Sequence, residues 1–417
     1  MTSIWFDRPA VADIPLDRFD MADPALYPDN RHWPLFARLR AEDPVHYCPD
    51  SRHGPYWSVT RYNDILEVDR NHKAFSSVNA TTLEMSTITG ISDDSVQAGG
   101  FIMMDPPSHD EQRRIFTPAL APTNLLKLED LIRERARATL AALPIGEEFD
   151  WVERVSIELT SMMLATLFGY PIADRARLKY WSDMIAGIPG DGVVESWEQR
   201  DAELNNMAAE FIKVREQRRT EPPAADLISI LTHSPTGATL DDRAFVSNMT
   251  LMLVGGNDTT RNTMSGGVLA LHHFPQEWAK LKANPALVDS LVPETIRFQT
   301  PVMYQGRVAT QDYDLGGKTI RKGDKVAMWY VSGNRDPDVI DDPDSFIIDR
   351  KMPRQHLSFG FGIHRCLGNR LAEMQLRILW EEILKLGWDR IEVVGEPEYA
   401  YSSVFRAINT MPVRIHA

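Results

Sequence analysis

The stretch FGFGIHRCLG, residues 359–368, carries the strongest structural signal in the chain. We call it the cysteine loop. Its glycines allow backbone conformations that other residues avoid and a close approach to another group. An amphipathic helix pattern follows over residues 369 to about 386, so Cys366 lies at a helix N-terminus, where the helix dipole and free N–H groups favour an anion. The pattern predicts a thiolate, with hydrogen bonds to the sulfur expected from the Leu367 and Gly368 amides.

A long helix is the second strong signal. It is predicted from Asp241 to about His273, with Thr239 and Asp242 as a capping pair and Pro275 just beyond its end. At about 1.5 Å per residue, such a helix would span roughly 50 Å. That length is enough to cross a whole domain.

The middle of this helix contains the segment GGNDTT, residues 255–260. Two adjacent glycines inside a helix cost about 1 kcal/mol each relative to alanine, which suggests a function. The absence of a side chain at Gly255 would open space beside the helix, and Asp258 and Thr259 could carry protons. Taken alone, the segment would fit a kinked core helix with a polar stripe equally well.

The rest of the chain is predicted to be mainly α with a smaller β region. Helical spacing dominates from about residue 107 to 271, and strands are expected at 56–60 and within 301–331. Without repeats or linkers, we expect a single domain over residues 1–417.

The cysteine loop resembles the haem-binding loop of cytochromes P450, Phe-x-x-Gly-x-His-x-Cys-x-Gly, at every fixed position. Residues 255–260 resemble the oxygen-activation motif of that family, small-Gly-x-Asp/Glu-Thr-Thr. The resemblance extends over about residues 16–415. It implies the cytochrome P450 fold, with the long central helix lying over a haem.

The resemblance also implies the cofactor and the catalytic roles. The cofactor would be haem b (iron protoporphyrin IX) with Cys366 as its proximal ligand, because a thiolate pushes electron density onto iron and favours O–O cleavage. Asp258 would be the acid and Thr259 the alcohol of a proton path, with Gly255 next to the haem.

Basic side chains are expected around the two haem propionates. Residues 105–114, DPPSHDEQRR, resemble the propionate-binding helix Asp-Pro-Pro-x-His-x-x-x-Arg of the family, which assigns His109 and Arg113. Arg307 and His364 match two further propionate contacts.

A structural triad is also implied. Glu294 and Arg297 are three residues apart and share a helix face, which alone would indicate an exposed ion pair of little value. They resemble the Glu-x-x-Arg motif of the family, which Arg350 would complete. In the family this triad is buried and holds the cysteine-loop region in place.

The composition limits the classes of binding partner and the cellular compartment that we expect for this protein. The net charge is −14, from 45 basic and 59 acidic residues, which argues against nucleic acid and anionic membranes. Two cysteines, Cys48 and Cys366, fit a reducing compartment. Neither a signal peptide nor a run of about 20 apolar residues is evident. We expect a cytoplasmic monomer without a membrane anchor.

Electrons are expected from a separate ferredoxin that a ferredoxin reductase supplies, because no flavin or iron–sulfur domain is evident. The ferredoxin should dock on the cysteine side of the protein. A basic patch is predicted there: Arg113, Arg114, Arg365, Arg370 and Arg377.

Within the family, the chain resembles most the bacterial class that hydroxylates the terminal carbon of medium-chain alkanes. Phe298 departs from the Trp that is typical of members, and residues 302–307, VMYQGR, are also atypical. Four segments carry the resemblance: 255–267, 326–336, 356–359 and 369–375.

A hydrophobic aliphatic substrate is predicted from the apolar candidates for the pocket. Two of them, Leu251 and Val254, share a helix face with Gly255 and Thr259, although each one alone would fit core packing equally well. The full set is Met85, Ile88, Ile91, Ile102, Leu251, Val254, Val302, Met303 and Phe405.

The predicted function is that of a monooxygenase that inserts one atom of O2 into a C–H bond, with terminal hydroxylation of medium-chain n-alkanes or fatty acids favoured. One alternative within the family is a hydroxylase of sterol side chains or branched lipids. Another is a peroxide-driven peroxygenase, which the Asp258–Thr259 pair argues against. A haem-binding sensor without turnover is the alternative of another class, and a cysteine hydrolase is the weakest.

Overall fold

Helices dominate the computed structural model, which describes residues 11–83, 100–187, 189 and 193–417. The α-helices of the described residues are α1 (His32–Glu42), α2 (Tyr62–Arg70), α3 (Ser108–Phe116), α4 (Pro122–Leu125), α5 (Glu129–Ala141), α6 (Glu158–Phe168), α7 (Arg175–Ala186), α8 (Trp197–Thr220), α9 (Leu227–His233), α10 (Asp242–His273), α11 (Pro275–Ala283), α12 (Val288–Gln299), α13 (Tyr330–Gly333) and α14 (Asn369–Lys385). The prediction of a mainly α fold with a smaller β region is confirmed.

The strands of the described residues are short and form four sheets. They are β1 (Val45–Cys48), β2 (Tyr56–Val59), β3 (Phe75–Ser76), β4 (Glu148–Asp150), β5 (Gln305–Ala309), β6 (Tyr313–Leu315), β7 (Lys318–Ile320), β8 (Lys325–Met328), β9 (Arg390–Val393), β10 (Glu398–Tyr399), β11 (Ile408–Thr410) and β12 (Pro412–His416). The largest sheet has the order β1-β2-β8-β5-β3, in which β2 and β8 are parallel and the other pairs antiparallel. It joins the N-terminal strands to those predicted within 301–331.

The predicted central helix is α10, which has 32 residues. Its cap differs from the prediction: Asp241, and not Thr239, accepts the N–H of Ala244 at 2.7 Å. Asp241 has the extended backbone of an N-cap residue, whereas Thr239 belongs to the preceding 3-10 turn. The helix is buried over most of its length and packs against α6, α7, α12 and α14.

Hydrophobic side chains form a large core between the helices and two smaller cores on the faces of the main sheet. Met303 lies in one of the smaller cores, where it is completely buried with Phe36 and Trp329. Its prediction as a pocket residue was therefore wrong, because its side chain fills the core beneath the sheet.

In the part of the chain that the structure describes, every helix is too short or too polar to cross a membrane.

Candidate active site

The cysteine loop makes a tight turn that leads into α14. Gly360 and Gly362 have φ values of +64° and +65°, in the left-handed region that favours glycine. A Cβ atom on Gly362 would lie 2.7 Å from the backbone oxygen of Asp69, so the loop is also pressed against the end of α2. The N–H of Cys366 donates to the Phe359 carbonyl at 2.8 Å. These contacts fix the position of Cys366 before the helix.

The surroundings of Cys366 act on its thiol in opposite directions. The side chain is accessible on one side, yet the protein atoms around the rest of it raise the pKa of the thiol by burial. The Gly368 amide, the charge of Arg113 and the Asn369 amide lower that pKa. The predicted contribution of Gly368 is confirmed, and the second amide identified is that of Asn369. A coordinated thiol is deprotonated outright, so these donors suit a metal-bound sulfur.

The predicted triad of Glu294, Arg297 and Arg350 forms as expected. Arg297 donates from Nε and Nη2 to the two Glu294 carboxylate oxygens, each at 2.8 Å. Arg350 Nε donates to Glu294 Oε2 at 3.1 Å. Burial raises the pKa of Glu294, but the two arginines outweigh that effect and the pKa is lowered overall. Arg297 also donates to the carbonyls of Asn334 and Pro343, so the triad ties α12 to the segment before the cysteine loop.

A second anchor of this segment is Asn334, which lies just after α13. Its amide nitrogen donates to Thr300 Oγ1 at 2.8 Å and to Ser358 Oγ at 2.9 Å. Its side-chain oxygen accepts the N–H of Leu357 at 2.6 Å. Sequence reasoning missed this role, because a single buried asparagine carries no local signal.

Two of the predicted propionate residues, His109 and His364, meet with ring centroids 4.5 Å apart. Nδ1 of His109 bonds to Asp110 at 2.8 Å, whereas its Nε2 and both ring nitrogens of His364 are buried without a partner among the described residues. Burial, with help from the charge of Arg307, lowers the pKa of His364 to about 2. Buried polar atoms normally have partners, so these nitrogens mark a place for a ligand with hydrogen-bonding groups.

The two predicted arginines differ in their contacts. Arg113 Nη2 donates to the Arg365 carbonyl at 2.5 Å, which connects α3 to the cysteine loop. Arg307 is almost completely buried, and its Nη2 donates to Asp69 at 2.8 Å. The pairing of Arg307 with a carboxylate was not predicted.

On α10, a stripe of open positions interrupts an otherwise buried helix. Leu251, Gly255 and Thr259, four residues apart, are all at least partly accessible, and Val254 borders them. A Cβ atom at Gly255 would meet nothing within 4 Å, whereas one at Gly256 would lie 2.9 Å from Leu164. The two glycines therefore serve different purposes: Gly255 leaves open space, and Gly256 permits close packing against α6.

Thr259 and Asp258 point to different surroundings. The Thr259 hydroxyl is on the open stripe and donates to the Gly255 carbonyl at 2.7 Å. Asp258 is buried, and its carboxylate accepts from Arg261 at 2.7 Å and from Ser182 on α7 at 3.0 Å. Burial raises the pKa of Asp258, and Arg261 partly opposes the rise.

The contacts of Asp258 continue toward the outside of the protein. Arg261 approaches Asp183 at 3.6 Å, and Asp183 pairs with Lys179 at 2.5 Å. Lys179 is about one-third exposed. A chain of polar groups thus leads from the buried Asp258 toward solvent across α7.

The remaining pocket predictions have mixed outcomes. Val302 and Phe405 are half-buried and face each other in an isolated antiparallel bridge. Ile102 is half-buried on a 3-10 turn that packs against α10. The others, Met85, Ile88 and Ile91, lie outside the described residues.

Phe298, where the resemblance suggests Trp, is buried in the helical core. The guanidinium of Arg335 lies 4.1 Å from its ring centroid, and Phe346 packs against it at 5.4 Å. This departure therefore changes core packing beside Arg297 and leaves the open stripe of α10 untouched.

The predicted basic patch is incomplete. Arg114, Arg365 and Arg370 are exposed. Arg377, however, donates to Glu129 at 2.9 Å and to Glu381 at 2.7 Å, so acidic neighbours neutralise it.

Taken together, the fold and the site define a haem-thiolate protein. A cysteine lies at a helix N-terminus with amide donors. Two histidine rings beside it carry buried nitrogens without a partner among the described residues, and a long helix offers an open, apolar stripe. These residues fit a haem.

Comparisons with known proteins agree with this assignment. The family profile described as Cytochrome P450 matches residues 192–386. Linalool 8-monooxygenase of Pseudomonas putida is 35% identical, over 95% of this chain and 99% of the relative. A methyl-branched lipid omega-hydroxylase of Mycobacterium tuberculosis is 30% identical, over 97% and 95%. The solved structure of CYP153D17 from a Sphingomonas species is 40% identical, with a TM-score of 0.91, over 97% of this chain and 100% of that chain.

The chain belongs to the cytochrome P450 family. It is an oxidoreductase of the monooxygenase type that uses haem b bound through a thiolate. Like the family, it needs O2, a redox partner and a hydrophobic substrate.

Proposed function

We propose that this monooxygenase hydroxylates the terminal carbon of medium-chain n-alkanes or fatty acids. The observation that carries this proposal is the apolar character of the open positions. Leu251, Val254, Val302 and Phe405 are all partly accessible and uncharged. A pocket with such walls binds by area and shape, and these four described positions offer no cation for anchoring a carboxylate.

Cys366 is proposed as the thiolate ligand, and the stripe on α10 as the face opposite it. When bound, haem supplies the oxygen-activating chemistry, since a thiolate ligand pushes electron density onto iron and favours O–O cleavage. His109 and His364 would hold the propionates through their unpartnered nitrogens, with Arg113 and Arg307 nearby.

The proton path is proposed to start at Thr259 and continue through Asp258. Thr259 Oγ1 lies on the open face and can accept a hydrogen bond there while donating to Gly255. Asp258 is held off the stripe by Arg261 and Ser182, so it would receive protons from the polar chain across α7. A carboxyl group whose pKa is raised suits transfer near neutral pH better than an exposed one.

Hydroxylation at the terminal carbon requires pocket walls that restrict how the substrate can lie. Terminal C–H bonds are stronger than internal ones, so the position of the substrate must overrule its intrinsic reactivity. The half-buried pair Val302 and Phe405 is proposed to narrow the space beside Leu251.

A second candidate substrate is a branched lipid. The 30% identity to a methyl-branched lipid omega-hydroxylase over nearly the whole chain supports it. That reaction also targets a chain end, so it would use the same narrow space.

The electron donor is proposed to be a ferredoxin, which is an acidic protein class. Arg114, Arg365 and Arg370 are exposed beside the cysteine loop and α14, where they could receive it. Charge-driven docking weakens with salt. The apparent KM for ferredoxin should therefore rise several-fold between low and moderate salt, and a KM independent of salt would contradict electrostatic docking.

The substrate proposal is tested by turnover of octane with a surrogate ferredoxin and reductase, with gas chromatography of the alcohols. Predominantly 1-octanol is expected. Mainly subterminal alcohols would contradict terminal selectivity. Oxidation of a methyl-branched fatty acid without any oxidation of octane would favour the second candidate.

A matched pair of variants tests the pocket walls. Leu251→Ala should widen the open stripe and raise the share of subterminal alcohols. Leu253→Ala, on the opposite, completely buried face of α10, is the control and should keep the product ratio of the unmodified enzyme. Equal product ratios in both variants would show that Leu251 does not line the substrate pocket.

A further inference from the structure

We propose that Asp69 is a positioning residue that holds the cysteine loop and Arg307 in one arrangement and thereby sets the reduction potential of the bound haem. Asp69 lies at the C-terminal end of α2, far in sequence from both groups. The inference rests on the proposed haem site around Cys366, and it is independent of the substrate.

Three donors from different parts of the chain converge on the Asp69 carboxylate. Its Oδ2 accepts the Phe361 N–H at 2.7 Å and the Tyr330 hydroxyl at 3.0 Å. Its Oδ1 accepts Arg307 Nη2 at 2.8 Å. The carboxylate thus joins the cysteine loop, α13 and β5.

The geometry fits an ionised carboxylate. Burial raises the pKa of Asp69 above its ordinary value, and Arg307, the Phe361 amide and Tyr330 partly oppose the rise. Both oxygens face donors, and a protonated carboxyl group would need an acceptor for its own hydrogen. Asp69 therefore contributes a buried negative charge beside the cysteine loop.

The cysteine loop is shaped around this residue. A Cβ atom on Gly360 would lie 3.3 Å from Asp69 Oδ2, and one on Gly362 would lie 2.7 Å from the Asp69 backbone oxygen. Glycines at these positions let the loop approach Asp69 closely enough for the Phe361 hydrogen bond. The close fit indicates that Asp69 determines where the loop lies.

The charges of Asp69 and Arg307 act on the reduction potential of the bound haem. Buried charges are screened far less than exposed ones, so they act over several ångströms. A negative charge near haem favours the oxidised form, which carries one more positive charge than the reduced form. Removing the charge of Asp69 leaves the Arg307 cation uncompensated, and the reduction potential should rise.

The experiment is a spectroelectrochemical titration of the purified holoenzyme and five variants. Asp69→Asn keeps the size of the side chain and should shift the potential upward. Arg307→Gln should shift it downward. The double variant Asp69→Asn/Arg307→Gln should lie closer to the unmodified enzyme than either single variant does.

Asp64→Asn is the matched control. Asp64 is a half-buried carboxylate on the same helix, and burial raises its pKa as well, but it lies outside the contacts with the cysteine loop. Its substitution should leave the potential unchanged. An equal shift in Asp64→Asn and Asp69→Asn would overturn the proposal, because the effect would then be that of overall charge.

Tyr330→Phe covers the case in which Asp69→Asn fails to retain haem. It removes one donor to Asp69 and keeps the Arg307 pair, so the less compensated carboxylate should lower the potential slightly. Unchanged potentials in both Tyr330→Phe and Arg307→Gln would overturn the proposal.

Failure of the haem site itself is recognised separately. The unmodified ferrous enzyme with carbon monoxide should show the red-shifted Soret band of a thiolate ligand. Absence of that band would refute the role of Cys366. A normal band with an unshifted potential in Asp69→Asn would refute the inference about Asp69 alone.

Discussion

On the side of Cys366, separate segments of the chain meet to hold one loop, whereas on the other side α10 alone presents the open stripe. Asp69 comes from α2, Glu294 from α12 and Asn334 from the end of α13, and all three are buried and bound to the loop or to the segment before it. On α10, helical spacing alone aligns Leu251, Gly255 and Thr259.

The two sides differ in the kind of contact on which their structure depends. The cysteine side depends on buried charges and on hydrogen bonds between distant segments, so breaking one contact should cost stability and haem retention. The helix side depends on which side chains stand on a continuous helix, so substitutions there should change chemistry with little effect on folding. Four experiments would sharpen this comparison or break it.

The largest effect is expected at Cys366. Cys366→Ala should abolish monooxygenase activity and the thiolate-type spectrum, because no other described cysteine lies near the site. Cys48→Ala is the control: Cys48 is buried beside the main sheet, where burial raises the pKa of its thiol to about 11. A thiolate-type spectrum that persists in Cys366→Ala would break the assignment.

The second effect concerns the buried triad. Glu294→Gln should lower the free energy of unfolding by about 3–5 kcal/mol, because Arg297 and Arg350 would remain buried without their counter-charge. Urea unfolding of the holoenzyme measures it. Glu42→Gln, which removes an exposed partner of Arg38 on α1, should unfold like the unmodified enzyme. Similar losses in both variants would show that the triad has no special structural role.

The third effect belongs to the helix side. Thr259→Ala should slow product formation by roughly 10²-fold, the scale of general acid–base assistance, while reductant is still consumed and its electrons reduce O2 to hydrogen peroxide. Thr260→Ala, at the adjacent buried position, is the control and should keep coupling high. Product and peroxide per reductant are the measurements. If Thr259→Ala still formed as much product per reductant as the unmodified enzyme, the Thr259 hydroxyl would not belong to the proton path.

The smallest effect is a pH dependence of stability on the cysteine side. Burial lowers the pKa of His356 to about 3, below its ordinary value of 6.5. Between these values the unfolded chain binds a proton that the folded protein does not, so stability falls as the pH is lowered, by up to about 1.4 kcal/mol per pH unit. His356→Gln should make this slope shallower.

Urea unfolding at several pH values between 7 and 4 measures the slope. His273→Gln, at the end of α10, should flatten the slope over a narrower range, because burial lowers the pKa of His273 only to about 4. An unchanged slope in His356→Gln would mean that this histidine is protonated in the folded protein.

The predictions from sequence succeeded where the chemistry is local. The cysteine loop, the face of α10 with Gly255 and Thr259, and the pair Glu294 and Arg297 each lie within a few residues, so spacing alone relates them. Met303 failed for the opposite reason: its neighbours Phe36 and Trp329 are distant in sequence, and only packing shows that it is enclosed by them.

The residues that sequence reasoning missed share this feature. Asp69 accepts hydrogen bonds from Arg307, Tyr330 and Phe361, which follow it in the sequence by more than two hundred residues. Arg261 could have been suspected, since it stands one turn after Asp258 on the same helix. No comparable spacing rule points from an aspartate on α2 to the cysteine loop.

The sequence by itself determined the cysteine before a helix, the central helix with its glycine pair and acid–alcohol motif, and the predominance of helices, because these depend on local periodicity and short motifs. The tertiary structure alone decided which buried partners neutralise Arg307 and Asp258, which glycine leaves open space and which apolar candidates remain accessible. Those outcomes depend on burial and on contacts between distant segments, where the energy of a charge or a cavity is set by neighbours that the local sequence does not contain.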